Sequence, residues 1–270
     1  MSASPVAVAR WTSAAGVPVL SERQVPEEAA VALVYAHATY AVMMASPADL
    51  GDFALGFSLA EGLVDGPDDI EELEIVPHAG GIELRMQLGP LCAARPRERA
   101  RRMAGPAGCG LCGVQSLAEV FRPLPQVAPG FRIEGTEIFA AMGAMVRGQR
   151  LNAVVRATHA AAFWQPGHGL IALREDVGRH NALDKLAGAL AFAGTPGASG
   201  VVLLSSRVSI EMVQKAARMG AAILVAASAP TALAVRMAGA CGITLVGVAR
   251  SDGFEVFTAL ERIDGPTHAD

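Results

Sequence analysis

The chain has 270 residues, of which 52% are hydrophobic and 18% charged, and its formal net charge at pH 7 is −4. This acidic balance argues against a general nucleic-acid binder, and no apolar run approaches the ~20 residues needed to cross a bilayer. The N-terminal residues lack the basic flank and apolar stretch of a secretory signal, so we expect a soluble cytoplasmic protein without nucleic-acid or membrane partners.

The pattern of apolar residues predicts a smaller β-rich part with one helix over residues 1–130. Residues 31–46 alternate as a hairpin would, and a second hairpin is predicted around Gly80-Gly81. Between them, Ser46-Pro47 is typical of a helix start, with serine as N-cap and proline at the first position, and the helix should end near Gly62.

Two of the four cysteines, Cys109 and Cys112, lie three positions apart in a glycine-rich stretch at the end of this part. The apolar spacing of Val114, Leu117 and Val120 suits a short helix directly after them. Thiols at a helix N-terminus have a lowered pKa, which favours the nucleophilic thiolate.

Four chemistries fit a pair of thiols at this spacing. Structural zinc is weakened because the sequence has no second Cys-x-x-Cys and no His-x-x-x-His partner. A thioredoxin-like redox pair would normally follow a first strand, and a structural disulfide is unusual in the cytosol. Sulfur transfer stays open, and the motif alone does not choose among these.

A cluster of arginines directly precedes the cysteines. It has two interpretations: a solvated helix face, or an anion site that steers a phosphorylated ligand towards the thiols. The cluster consists of Arg95, Arg97, Arg99, Arg101 and Arg102.

Over residues 131–270 the pattern changes to alternating strands and helices. This alternation predicts a mixed, partly parallel sheet covered by helices on both faces, with ligands at the carboxyl ends of the strands. The predicted helices cover 138–147, 178–192, 209–219 and 231–239, and the predicted strands cover 159–164, 169–173, 201–204, 223–226, 243–247 and 254–257.

Polar turns follow several of these strands. The densest is the segment from Arg174 to Lys185, which can be read as capping and helix-surface charge, since Asn181, Asp184 and Lys185 share a helix face, or as a phosphate or base-edge site. The next turn contains Arg207, which capping does not explain. We expect these turns to converge on one crevice.

Other features have structural interpretations. No Gly-x-Gly-x-x-Gly or Walker sequence follows a strand, which disfavours a standard dinucleotide or P-loop site. His159 is expected to be a satisfied core histidine, and Cys92 and Cys241 to be buried structural residues.

Three segments together resemble the formate dehydrogenase accessory sulfurtransferase family, the FdhD/NarQ family. They are Glu175 to Ala182 with Asp184-Lys185, Ser206 to Ala216, and Ser228 to Thr231, and the Cys-Gly-x-Cys-Gly segment falls where that family has its cysteine motif. The resemblance extends from Leu50 to the last strand. One departure is Val155-Arg156-Ala157-Thr158, where the family often has a Thr-Gly-Gly-like segment before its histidine.

The resemblance implies a fold similar to that of cytidine deaminases, without the deaminase zinc, and no metal site. It implies that Cys109 accepts persulfide sulfur from a cysteine desulfurase, with Cys112 as its partner. The sulfur would pass to the molybdenum of the bis-molybdopterin guanine dinucleotide cofactor, which serves formate dehydrogenase. A homodimer is also implied, and GDP-like nucleotides could occupy the cofactor site.

The cofactor would contact residues of two kinds. Phosphates and ring edges suit Arg179, His180, Asn181 and Arg207. A strip after the last long strand maps to Val248, Ala249, Arg250, Ser251, Asp252 and Gly253. Two other functions remain: a non-catalytic chaperone that binds and delivers the cofactor, and a zinc-dependent deaminase relative.

Overall fold

A computed structural model describes residues 2–13, 16–100 and 124–265. Cys109, Cys112, Arg101, Arg102 and the short helix predicted over 114–120 lie outside these residues. Within the described ranges, no helix combines the length and the apolar character that a membrane crossing requires.

The chain begins with an antiparallel ribbon that the sequence analysis did not predict. Its strands are β1 (Ala3–Arg10) and β2 (Val19–Pro26), and their residues are mostly exposed on both faces. The ribbon has little of the apolar alternation that marks a half-buried strand, which explains why the pattern missed it.

The first sheet has the strand order β4-β3-β6-β5 and is covered by helix α1. Both predicted hairpins are confirmed, and the two hairpins join through a parallel pairing of β3 with β6. The bounds are β3 Ala29–Tyr35, β4 Ala38–Ala45, α1 Leu50–Glu61, β5 Ile70–His78 and β6 Gly81–Leu88, followed by helix α2 Arg95–Ala100.

Helix α1 ends as predicted but begins differently. Gly62 closes it in the left-handed conformation, with φ 70°. Its N-cap is Asp49 rather than Ser46, so the predicted serine cap is wrong. Ser46 is fully buried, and its backbone N–H donates to Asp176, 130 residues away, over 3.0 Å. Ser46, which the local sequence predicts to be a helix cap, is thus engaged in a long-range contact instead.

The second sheet has six strands in the order β13-β12-β11-β10-β8-β9 and is mixed. Strands β10, β11 and β12 are mutually parallel, whereas β8 is antiparallel to both β10 and β9. The predicted mixed α/β architecture with a partly parallel sheet is confirmed. A second two-stranded pairing, β7 with β14, joins residues 133–134 to 263–264.

Every element predicted after residue 134 is present within a few residues of its expected bounds, and one additional short helix, α4, follows α3. The bounds are β7 Ile133–Glu134, α3 Gly135–Gly148, α4 Arg150–Val155, β8 His159–Gln165, β9 Gly169–Asp176, α5 Arg179–Phe192, β10 Val201–Leu204, α6 Ile210–Arg218, β11 Ile223–Ala226, α7 Ala232–Cys241, β12 Thr244–Gly247, β13 Glu255–Val256 and β14 Ile263–Asp264.

Helices α1 and α5 join the two sheets at a contact made by two glycines. A Cβ added at Gly56 would lie 1.7 Å from the Asp184 carbonyl oxygen, and one added at Gly188 would lie 1.9 Å from that of Asp52. No side chain fits at either position, so the two backbones touch. This contact fixes the first sheet against the start of α5. The predicted division of the chain at residue 130 stays a prediction.

Candidate functional site

The polar turns of the second half lie along one edge of the six-stranded sheet. Since β9, β10, β11 and β12 point the same way, their carboxyl ends meet there, together with the first residue of β8, His159. Ser205 joins the end of β10 to the start of β8 at this edge by two hydrogen bonds. Its Oγ accepts the Ala160 N–H at 2.8 Å, and its own N–H donates to the Ala160 carbonyl. Four strand steps of about 4.8 Å make the edge roughly 19 Å wide.

Asp176, the last residue of β9, organises the most polar turn. Its carboxylate is fully buried and accepts from the Lys185 ammonium at 2.6 Å and from the Gly178 N–H at 2.7 Å. It also accepts from the Asn181 amide at 3.0 Å and from the Ser46 N–H. Four donors from two halves of the chain thus fix the start of α5.

Asn181 and Lys185 therefore belong to the interior. Lys185 is 0% exposed and also donates to the Ser46 carbonyl at 2.9 Å. Asn181 is 2% exposed, and its amide nitrogen donates to the Met44 carbonyl as well as to Asp176. The reading of these residues as helix-surface charge is wrong. The structure gives Asn181 a positioning role, and its amide N–H groups are already used.

Arg179 and His180, which begin α5, lie at the edge and are half-buried. Burial is the main cause that lowers the pKa of His180 to about 3, and the positive charges of Lys215 and Arg179 lower it further. The imidazole is therefore neutral at pH 7. Among the described residues, His180 Nε2 and Arg179 Nε are buried polar atoms without a hydrogen-bond partner. Such atoms are uncommon in proteins, and a water molecule or a ligand can supply the missing hydrogen-bond partner.

His159 lies beside them rather than in the core. It is half-buried at the first position of β8, opposite Asp176, so the expected fully satisfied core histidine is not found. Burial, followed by the charge of Arg179, lowers its pKa below the usual value, while Asp176 opposes the shift. Two largely neutral imidazoles and a guanidinium group thus share this end of the edge.

The next turn precedes helix α6. Arg207 is exposed, whereas Ser206 is buried. Ser209 stands at the N-cap as expected, but its hydroxyl makes no capping hydrogen bond. By contrast, the following helix begins with a true side-chain cap, in which Thr231 Oγ1 accepts the Ala234 N–H at 3.2 Å.

The strip from 248 to 253 forms the far end of the edge. Val248 has φ 51°, a left-handed conformation that is strained for a β-branched residue. The N–H groups of its first three residues donate within the protein, Val248 to Ser228, Ala249 to Ala226 and Arg250 to Gly253. Ala249 is buried, while Arg250, Ser251 and Asp252 are exposed. The groups open to a ligand here are therefore the exposed side chains of Arg250, Ser251 and Asp252.

The arginine cluster is partly explained by ion pairs. Arg95 pairs with Asp65 at 2.7 Å, and Arg99 pairs with Glu61 at 2.8 Å. These two side chains are neutralised by carboxylates of the first half, so they support the structural interpretation. Arg97 is exposed, and the last two members of the cluster are not described.

The two described cysteines are buried, as predicted. Cys92 and Cys241 are 1% and 2% exposed and not in a disulfide, and burial raises the pKa of each thiol. Cys92 lies near Asp65 and Asp69. The Asp69 carboxylate already accepts the N–H groups of Asp65 and Gly66, so this group is explained by internal hydrogen bonds.

The fold and this edge define a mixed α/β protein with a candidate ligand-binding edge that carries arginine and histidine side chains. The chain belongs to the FdhD/NarQ family, whose model matches residues 26–264. The family resemblance of the three polar segments is thereby confirmed.

Relatives of nearly equal length are similar to the chain throughout. Proteins named sulfur carrier protein FdhD are 49% identical over 95% of both chains in Agrobacterium fabrum, and 49% identical over 92% of this chain and 89% of the relative in Bordetella petrii. A crystal structure assigned to a formate dehydrogenase accessory protein of Desulfotalea psychrophila matches with a TM-score of 0.79. It covers 98% of this chain and 100% of that chain at 23% identity, which supports the fold alone.

Sequence reasoning found the turns but missed how they are held. The roles of Ser46, Ser205 and Asp176 depend on partners 130, 45 and up to 130 residues away. The one available signal was the density of ionisable residues between Arg174 and Lys185 in so apolar a chain.

Proposed function

We propose that this protein accepts sulfur from a cysteine desulfurase as a persulfide on Cys109. It then delivers the sulfur to the molybdenum of a bis-molybdopterin guanine dinucleotide cofactor that serves formate dehydrogenase. The observation that carries the proposal is the 49% identity, over 95% of both chains, to a protein named as a sulfur carrier. The resemblance of the Cys109-Gly-Leu-Cys112 segment to the family's cysteine motif supports the assignment of the residue.

The transfer steps are thiol chemistry. The Cys109 thiolate attacks the terminal sulfur of the donor persulfide, so that a new S–S bond forms, the donor's S–S bond breaks and the donor leaves as a thiolate. Release of this sulfur as sulfide takes two electrons. We assign them to the thiols: Cys112 attacks Cys109 Sγ, a disulfide forms and hydrosulfide leaves. With one proton, the hydrosulfide would replace an oxygen ligand of the substrate's metal, and that oxygen would leave as water. A cellular dithiol then reduces the disulfide.

The edge of the six-stranded sheet supports a nucleotide-bearing substrate. Arg179 and Arg207 are suited to phosphate oxygens, and His180 Nε2 is an unpartnered ring atom next to Arg179. The exposed Arg250, Ser251 and Asp252 lie at the other end, so the edge suits a long ligand. GDP is expected to occupy the same site. By family resemblance we also propose a cytoplasmic homodimer.

The test is the intact mass of the protein after incubation with a cysteine desulfurase and cysteine. We expect a gain of one sulfur atom that a reductant removes, absent in Cys109→Ala and retained in the control Cys92→Ala. A Cys109→Ala variant that still gains sulfur would overturn the assignment.

A cofactor-binding chaperone is the second candidate, because the converging polar turns need no thiol to bind a nucleotide. The two functions separate in cells that depend on formate dehydrogenase. If Cys109→Ala supports full dehydrogenase activity, binding and delivery are the function and sulfur transfer is not.

A further inference from the structure

Helix α6 begins with two polar side chains whose arrangement capping does not explain. Ser209 Oγ and Glu211 Oε2 are buried atoms without a hydrogen-bond partner among the described residues, and so is His180 Nε2 at the start of α5. Buried polar atoms in proteins are nearly always hydrogen-bonded. Three such atoms at one sheet edge point to a missing partner.

Glu211 and His180 are each the second residue of a helix that starts at the candidate edge. Helices α5 and α6 both start at the candidate edge and run in the same direction, because β9 and β10 are both antiparallel to β8. One turn into them, the Lys215 ammonium donates to the Asp184 carboxylate. His180 and Glu211 each lie four residues earlier, one helical turn closer to the edge.

The helix dipole alone does not account for Glu211. An acidic residue in the first turn of a helix interacts favourably with the helix dipole. A fully solvated carboxylate already has this interaction, so the dipole does not require the carboxylate to be buried. Glu211 is instead half-buried, with one oxygen shielded and unpaired. A buried acceptor without a donor is unfavourable unless a ligand supplies the donor.

We infer that Glu211 determines the base specificity of this edge by accepting hydrogen bonds from a guanine base. A carboxylate accepts only, and the guanine edge offers two adjacent donors, the N1–H and the 2-amino group. Adenine offers one donor beside an acceptor, and hypoxanthine keeps the N1–H but lacks the amino group. The inference rests on the proposed function, which brings a guanine nucleotide to this edge.

The test measures nucleotide binding by titration calorimetry with GDP, inosine diphosphate and ADP. The wild-type protein should bind GDP about tenfold more tightly than inosine diphosphate, as expected for one hydrogen bond to a charged group, and ADP more weakly still. In Glu211→Gln the amide presents a donor to the base, so GDP affinity should fall about tenfold or more and the preference over inosine diphosphate should vanish.

Two further variants separate recognition from stability. Glu211→Asp keeps the carboxylate and should retain a preference for GDP. The matched control is Glu137→Gln, which neutralises a half-buried glutamate in the first turn of α3 and should leave the preference unchanged.

Three results would overturn the inference: no binding of GDP, equal binding of GDP and inosine diphosphate by the wild type, or a Glu211→Gln variant that still prefers GDP. Sulfur loading of Cys109 is measured separately on the same samples. A protein that gains sulfur but shows one of these three results refutes the role of Glu211 and leaves sulfur acceptance standing.

Discussion

The Lys185 ammonium lies 2.6 Å from the Asp176 carboxylate, and both side chains are fully buried. Lys185 also donates to Ser46 and lies 5.9 Å from the centre of the Phe53 ring, so the pair ties the start of α5 to the first sheet and α1. The most polar segment of the chain thus serves first to hold the fold, and through it the position of Arg179 and His180.

Removing one member of this pair should be severely destabilising. In Lys185→Met the Asp176 carboxylate stays buried without its cation, so we expect the free energy of unfolding to fall by about 3–5 kcal/mol. Urea denaturation measures it. The control is Arg95→Met, which breaks an exposed pair and should cost about 0–1 kcal/mol. The double variant Asp176→Asn/Lys185→Met should recover part of the loss. A loss below about 1 kcal/mol in Lys185→Met would show that the pair is not needed.

The glycine contact between α1 and α5 should not accept a methyl group. Alanine normally stabilises a helix interior by up to about 1 kcal/mol relative to glycine, but a Cβ at Gly188 meets the Asp52 backbone at 1.9 Å. We expect Gly188→Ala and Gly56→Ala each to lose about 1–3 kcal/mol or more. Gly51→Ala is the control in the same α1, because its Cβ would meet nothing nearer than 3.9 Å. Equal melting temperatures for Gly51→Ala and Gly56→Ala would contradict this packing.

Two residues of α5 should give opposite pH dependences of stability. The pKa of His180 is lowered from its ordinary value of 6.5 to about 3. Between these two pH values the unfolded chain binds a proton that the folded chain does not. The stability of the folded protein therefore rises with pH in this range. Burial raises the pKa of Asp184 to about 6, so between its ordinary value of 3.8 and that pH the folded chain binds the extra proton and stability falls with pH.

The two slopes oppose each other between about pH 4.5 and 6, and single variants should reveal them. Relative to the wild type, His180→Gln should lose stability as the pH rises through this window. Asp184→Asn should gain stability, relative to the wild type, over the same rise in pH. Urea denaturation at pH 4.5, 5.5 and 6.5 gives the slopes, which do not depend on the absolute stability of each variant. Slopes that change in the same direction would refute at least one of these shifts.

The two buried cysteines should be unreactive in the folded protein. In a Cys109→Ala/Cys112→Ala variant, Cys92 and Cys241 are the remaining thiols. Because both are buried and burial raises the pKa of each, iodoacetamide at pH 7.5 should label neither until denaturant is added. Peptide mass spectrometry identifies the labelled residue. Labelling of either one under native conditions would mean that its site opens, and it would complicate the persulfide assay.

The sequence by itself determined the family and most of the elements, although it missed the N-terminal ribbon and helix α4. Apolar periodicity placed the hairpins of the first sheet and the strands and helices after residue 134, and the order of the polar turns showed that they would meet at one edge, because carboxyl ends of parallel strands do so. Apolar periodicity depends only on residues a few positions apart in the sequence, so it can be recognised without knowing the tertiary structure.

Only the tertiary structure decided which polar residues face the edge. Asn181, Asp184 and Lys185 have the spacing of a helix-surface cluster, but α1 and the end of β4 cover them, so burial and long-range hydrogen bonds make them internal. Ser46 illustrates the same limit, since its partner Asp176 is 130 positions away. Exposure and pairing depend on what packs against a residue, and no local pattern contains that information.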